Sequence, residues 1–166
     1  MTEPRWLDDG EQRAWRGLLS AQRELRSRTT RRLQRETGLS ESDYEVLVNL
    51  SEAPSGRLRA YELGRATKWE KSRLSHHLTR MADRGLVARE SCPTDNRGAF
   101  IVITKAGRAA ITDAAPLHVD HVRELFVDAL TPAQLDALAD ATESILAHLA
   151  ETDPDALGEA ACDEGD

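Results

Sequence analysis

The chain has 166 residues, 40% hydrophobic but only 4% aromatic, and a formal net charge of −7. That length suits one domain with an appended arm, and a composition rich in Ala and Leu favours helices over sheet. No run approaches the about 18 apolar residues of a membrane span, residues 1–10 contain no signal-peptide core, and Cys92 and Cys162 are too few for a disulfide scaffold or zinc finger, so a cytoplasmic protein is expected.

Residues 11–36 read as a long helix, with Trp15, Leu18, Leu19, Leu25 and Leu33 towards one side and arginines on the other. Gly38 stops it. Ser40 caps a second helix, and Asp43 three positions on resembles a capping box with a shorter acid. Tyr44, Leu47, Val48 and Leu50 supply that helix's apolar side. Ala53-Pro54-Ser55-Gly56 is a turn, and a short third helix is expected over 59–66, with Leu58, Leu63 and Ala66 inward. Thr67-Lys68-Trp69 connects tightly to a fourth helix over 70–84, striped by Leu74, Leu78 and Met81 and ended by Gly85.

Residues 86–89 and 99–103 read as two short strands around a polar loop over 92–98. Thr104 then caps a long helix to about residue 129, interrupted or bent near Pro116. Leu130-Thr131-Pro132 restarts the chain with an N-cap and a proline at the first helical position. The last helix, about 132–150, sets Leu135, Leu138, Ile145 and Leu149 near a heptad seam. Residues 153–166 read as a disordered acidic tail.

Helix, turn, helix, strand, loop, strand is the order of a winged helix-turn-helix. The expected fold is therefore mainly α (α+β). A winged lobe with a two-stranded wing spans 38–108, and helical dimerisation segments span 1–37 and 109–152. Trp6, Leu7, Trp15 and Leu19 at one end, and Leu135, Leu138, Ile145 and Leu149 at the other, have no partner within a winged lobe, so a homodimer is expected.

Charge is segregated along the chain. Residues 1–56 are close to balance at −1, residues 57–108 carry +7, and residues 109–166 carry −13. A basic block beside so acidic a tail points to a polyanion-binding middle and an end that avoids polyanions. The fourth helix presents Lys71, Ser72, Arg73, Ser75, His76, Thr79 and Arg80 opposite its apolar stripe, the donors and small polar groups that a helix in a major groove needs. His77 lies nearer the stripe, as a core-edge histidine. Arg57 and Arg59, with Arg89 or Lys105, are candidates for phosphate contacts. Arg97 sits where a guanidinium at a wing tip would enter a narrow minor groove, with Asp95 placed to pin it or the turn. The plainer alternatives are a solvated helix face and a hairpin turn with Arg97 merely exposed.

The run from Lys71 through Val87, then Asp95-Asn96-Arg97-Gly98, Ile103-Thr104-Lys105-Ala106-Gly107 and Leu130-Thr131-Pro132-Ala133-Gln134-Leu135, resembles the MarR family of bacterial transcription regulators. The resemblance covers about residues 11–150. It implies a homodimer joined by its first and last helices, two winged modules on a pseudo-palindromic double-stranded DNA operator, and repression as the commoner outcome. It also implies a small aromatic ligand in the cleft between the dimer helices and the DNA-binding lobe. The acidic tail and Trp69 depart from the simplest family pattern.

His118 and His121, with Glu124 next on the same face, have a spacing that suits zinc, but no cysteine cluster or fourth ligand accompanies them. Cys92, near Arg89 and Arg97 in sequence, is a weak redox candidate, since relatives that sense peroxide place the cysteine near the first helix. No metal, cofactor or enzymatic activity is expected: the chain has no phosphate-binding glycine loop, GxSxG elbow or HExxH. The rival reading is a winged-helix interaction module whose basic patch meets an acidic protein partner.

Overall fold

The computed structural model describes residues 4–92 and 95–152, with backbone alone for 91–92 and 95–98. The expected tail, 153–166, lies outside the described residues. Among the described residues, six α-helices accompany a three-stranded antiparallel sheet. They are α1 (Asp9–Thr37), α2 (Glu41–Glu52), α3 (Ala60–Thr67), α4 (Lys71–Asp83), α5 (Lys105–Leu125) and α6 (Pro132–Thr152), and the strands are β1 (Arg57–Arg59), β2 (Val87–Cys92) and β3 (Asp95–Ile103) in the order β1-β3-β2.

Local chemistry sets most helix ends. Asp8 and Glu11 form a reciprocal capping box that starts α1 two residues before the sequence suggests. Gly38 ends that helix in the left-handed region at φ 71°. Ser40 and Asp43 make the expected capping box of α2, with the Asp43 amide donating to Ser40 Oγ at 3.1 Å and the Ser40 amide to Asp43 Oδ2 at 2.9 Å. Thr131 and Gln134 do the same for α6.

Four expectations need correction. Ala66, expected inward on α3, is exposed, and Thr67 one position on is buried. Arg57-Leu58-Arg59 is a strand, paired Arg57↔Val102 to Arg59↔Phe100. Three residues carry no readable period, and β3 alone makes them a strand. The expected loop over 92–98 is shorter, because β3 begins at Asp95 and pairs Cys92↔Asp95 after an irregularity between Ser91 and Cys92. Turn-forming residues there are drawn into the ladder. Finally, α5 runs through Pro116 without a break, and it ends at Leu125 rather than near 129, followed by a 3-10 turn over Val127–Ala129.

Val46, Leu47 and Leu50 of α2, Leu63 of α3, and Leu78 and Met81 of α4 form the centre of the core, all nearly fully buried. Ile101 of β3 closes it from the sheet side. Arg32 of α1 holds Glu124 of α5 through two hydrogen bonds of 2.6 and 2.9 Å, and His121 Nε2 lies 2.9 Å from Glu36 Oε2, so polar contacts tie α1 to α5. No residue of α6 is buried.

The start of α5 is pinned under the sheet. Thr104 Oγ1 donates to Gly85 O at 2.6 Å while accepting from the Gly107 amide at 3.0 Å. A Cβ on Gly107 would run into the Leu86 carbonyl oxygen, a backbone atom that cannot turn aside. Gly107→Ala is therefore expected to destabilise the protein by about 1–3 kcal/mol, or more if the helix cannot shift, as read from urea unfolding midpoints at constant m-value.

Candidate nucleic-acid interface

The fourth helix buries Leu74, His77, Leu78 and Met81, an i, i+3, i+4, i+7 stripe. Everything the sequence assigns to the opposite face is exposed: Lys71, Ser72, Arg73, Ser75, His76, Thr79 and Arg80. The stripe is what turns this set outward, because the core seizes one side of α4 and leaves the other to solvent.

Several of these side chains and their neighbours are held in defined poses. The Arg73 guanidinium lies 4.4 Å from the Trp69 ring centroid. Trp69 meets His77 edge-on at 5.3 Å. Arg80 Nη2 lies 3.1 Å from His77 Nδ1. Arg89 crosses from β2 to α4, donating to Ser75 O and to Thr79 Oγ1, both at 3.1 Å. Thr79 Oγ1 itself donates to Ser75 O at 3.0 Å, so its hydroxyl is already committed within the protein. Trp69, a departure from pattern in the sequence, is thus the support of the helix's first arginine. Only its position just ahead of the basic helix hinted at that role.

Arg57 and Arg59 belong to the sheet. Each guanidinium carbon stands 4.7 Å from the Phe100 ring centroid, and Arg57 also lies 3.8 Å from Glu90. Between α3, α4 and the sheet a concavity of about 840 Å³ opens, edged by Arg65, Lys68, Lys71 and Arg89 with Tyr61 beside them. The backbone of Asp95 and Arg97 runs in β3, but their side chains lie outside the described residues, as does that of Cys92.

Behind α4 sits a buried charge. Asp43, 2% exposed, accepts from Arg84 Nη1 at 2.6 Å as well as from the Ser40 amide. Its Oδ1 is 3.1 Å from His77 Nε2, close but not well aligned as a hydrogen bond. Arg84 also donates to Gly38 O at 3.2 Å. Burial alone would raise the Asp43 pKa, but Arg84 and the Ser40 bonds outweigh it and hold it below the usual carboxylate value. His77 is likewise held below the usual histidine value, by burial first and by Arg80, against the pull of Asp43.

The histidines of α5 are drawn apart. His118 packs on the Tyr44 ring at 4.6 Å, His121 turns to Glu36, and Glu124 turns to Arg32. Among the described residues no group of three or more His, Cys, Asp or Glu side chains is arranged to hold a metal ion. Among the same residues, no helix is long and apolar enough to cross a membrane. At the two ends of the chain Trp6 is 82% exposed, Trp15 54% and Leu149 55%, with Leu7, Leu19 and Ile145 also exposed and Leu135 and Leu138 half-buried. Leu146, outside the heptad reading, is exposed as well.

A family model described as the MarR family matches residues 37–98. AbsC, a MarR family transcriptional regulator from Streptomyces coelicolor, is 44% identical over 88% of this chain and 98% of its own, with a TM-score of 0.83. The chain belongs to the MarR family. Within it, Sco3205 from Streptomyces coelicolor, solved in complex with DNA, is 41% identical over 87% of this chain and 90% of its own, with a TM-score of 0.82. The transcriptional regulator HosA of Escherichia coli O111:H- is 33% identical over 66% of this chain and 79% of its own. The winged helix of this MarR-family protein is thus the family's fold, with β1 as the third strand.

The buried Asp43 gives a stability prediction with a defined sign. Its folded pKa lies below its unfolded value, so its contribution is complete above about pH 3.9 and is lost as pH falls through the folded value. The depressed pKa of His77 acts in the same direction, its contribution being lost as pH falls from about 6.5 through the folded value. Asp43→Ala is expected to cost about 1.5–3 kcal/mol at pH 7, the worth of a hydrogen bond to a charged group. The gap between variant and wild type should close below about pH 4, as urea unfolding across pH would record.

Proposed function

We propose that this protein is a homodimeric, sequence-specific double-stranded-DNA-binding transcriptional regulator. It represses a neighbouring gene and is relieved by a small aromatic ligand. The observation that carries the DNA-binding reading is α4: seven polar or basic side chains exposed together, backed by a buried stripe, on a lobe whose residues 57–108 carry +7. The relative Sco3205, solved in complex with DNA, supports it. Repression and the aromatic ligand rest on family resemblance alone.

In this reading α4 enters the major groove, where Arg73 and Arg80 reach guanine edges or phosphates and Ser72, Ser75 and His76 approach bases or backbone. Arg57, Arg59, Lys71 and Arg89 face the phosphates. Arg97, on the β2–β3 hairpin, reaches the minor groove and senses width and potential rather than a base pattern. Two lobes on half-sites one turn apart need recognition helices about 34 Å apart, and a ligand that alters that spacing loosens both at once.

The dimer reading is supported by the unburied α6 and by the exposed Trp6, Leu7, Trp15 and Leu19 around α1. Light scattering at micromolar concentration is expected to give twice the chain mass, with an obligate interface of more than about 2,000 Å². A monomer mass would remove the reading.

DNA binding is tested by titration against duplexes selected from a random pool. Affinity should fall by about 10³–10⁵-fold between roughly 50 and 200 mM salt if about six to ten phosphates are neutralised per dimer. Arg97→Ala should weaken binding to every related duplex by about 1–3 kcal/mol per subunit, whereas Arg73→Ala should relax preference at one base pair in each half-site. Binding that ignores salt and duplex sequence would favour the interaction-module reading instead.

A further inference from the structure

Arg73 and Arg80 are seven positions apart on α4, about 10 Å along one face. Each guanidinium meets an aromatic side chain: Arg73 lies over the Trp69 ring, and Arg80 Nη2 meets the ring nitrogen Nδ1 of His77. The second contact is the more consequential, because its ring titrates. His77 is 7% exposed, whereas Arg80 is exposed. A buried side chain thus touches an arginine on the outward face of the helix.

The surroundings choose the form of the imidazole. Nδ1 faces Arg80 Nη2 at 3.1 Å and Nε2 faces Asp43 Oδ1 at 3.1 Å. A guanidinium only donates, and an ionised carboxylate only accepts. The form that suits both neighbours is neutral, with the proton on Nε2 and the lone pair on Nδ1. A proton added at Nδ1 turns the acceptor into a donor and sets two positive groups face to face.

We propose that His77 is the positioning residue of Arg80: its neutral Nδ1 aims the guanidinium at the base pair that Arg80 reads, and protonation releases the arginine and relaxes that preference. This rests on the DNA-binding reading above. An arginine already held in its pose loses less side-chain freedom on binding, and a displaced one loses geometric fit. The charged groups around the ring are Asp43 from α2, which favours the imidazolium, and Arg80 of α4 and Arg84 just after it, which oppose it. Trp69, before α4, contributes an uncharged ring edge. Burial disfavours the charged ring further, so the neutral form prevails at neutral pH and the switch lies on the acid side of the ordinary histidine range.

The test has two arms on the full chain. In the first, nitrogen-15 NMR of labelled histidine rings follows His77 without DNA. The expected result is an Nε2–H tautomer at pH 7.5 and a higher pKa for His77 in Arg80→Ala than in wild type. An Nδ1–H tautomer, or a pKa unmoved by Arg80→Ala, overturns the proposal.

In the second, duplexes selected from a random pool, and copies with single symmetric base changes, are titrated at pH 7.5 and at a pH below the His77 midpoint found in the first arm. Wild type should favour one base pair by tenfold or more at pH 7.5, and by several-fold less at the lower pH. Arg80→Ala should show no preference there at either pH.

His77→Asn places an oxygen where Nδ1 stands and does not titrate, so it should keep the preference at both pH values. His77→Gln places its polar atoms where Nε2 stands and should lack the preference at both. If wild type keeps equal preference at both pH values, or His77→Gln matches it, the proposal fails while DNA binding stands. If no duplex binds with salt sensitivity, the DNA-binding reading falls and the proposal with it. A substitution that prevents folding leaves the decision to the wild-type pH titration and the NMR arm.

Discussion

One buried carboxylate joins α1, α2 and α4 at a shared polar contact. Asp43 closes the capping box at the start of α2, accepts from Arg84 at the end of α4 and faces His77 in the middle of that helix. Arg84 also reaches the carbonyl of Gly38, where α1 stops. The long arm, the helix beneath it and the exposed helix are thus tied at one polar point at the edge of the apolar core. A buried carboxylate is costly unless paired, and here Arg84 and the Ser40 amide pair it, which restricts how these segments can be arranged.

Around that point the exposed helix is supported by rings and by the sheet. Trp69 carries Arg73, His77 carries Arg80, and Arg89 reaches across from β2 to the Ser75 carbonyl and the Thr79 hydroxyl. The basic face is therefore a supported surface. Long cationic side chains are ordinarily mobile, and ordering them before a partner arrives lowers the entropy lost on binding. The same supports commit some groups, and Thr79 has less to offer a base than its exposure suggests.

The helical arms follow a different logic. α1 and α5 are held together by Arg32–Glu124 and His121–Glu36. The apolar side chains at their outer parts, and all of α6, stay unburied in the single chain. Large exposed apolar groups such as Trp6 and Trp15 are uncommon on a lone domain and mark a surface suited to association. The charge pattern agrees with this division of labour, since the basic residues gather in the lobe and the acidic ones in the segment that follows it.

Much of this was legible in the sequence because it depends on local chemistry. The Ser40 cap, the Gly38 stop, the α4 stripe and its outward set each follow from side-chain spacing along a few turns, and His77 could be placed at the core edge from the same spacing. The features that could not be read depend on partners distant in the chain. Arg57–Arg59 is a strand only because β3 lies beside it, and the start of β3 at Asp95 depends on pairing with Cys92 against residues that prefer turns. Asp43 looked like a cap and no more. Its meeting with Arg84, 41 positions on, requires the folded core. The sequence by itself determined the helices, the polarity of their faces and the family. Tertiary structure decided which buried acid, ring and arginine meet, because those contacts arise only when the apolar stripes have already brought separate helices together.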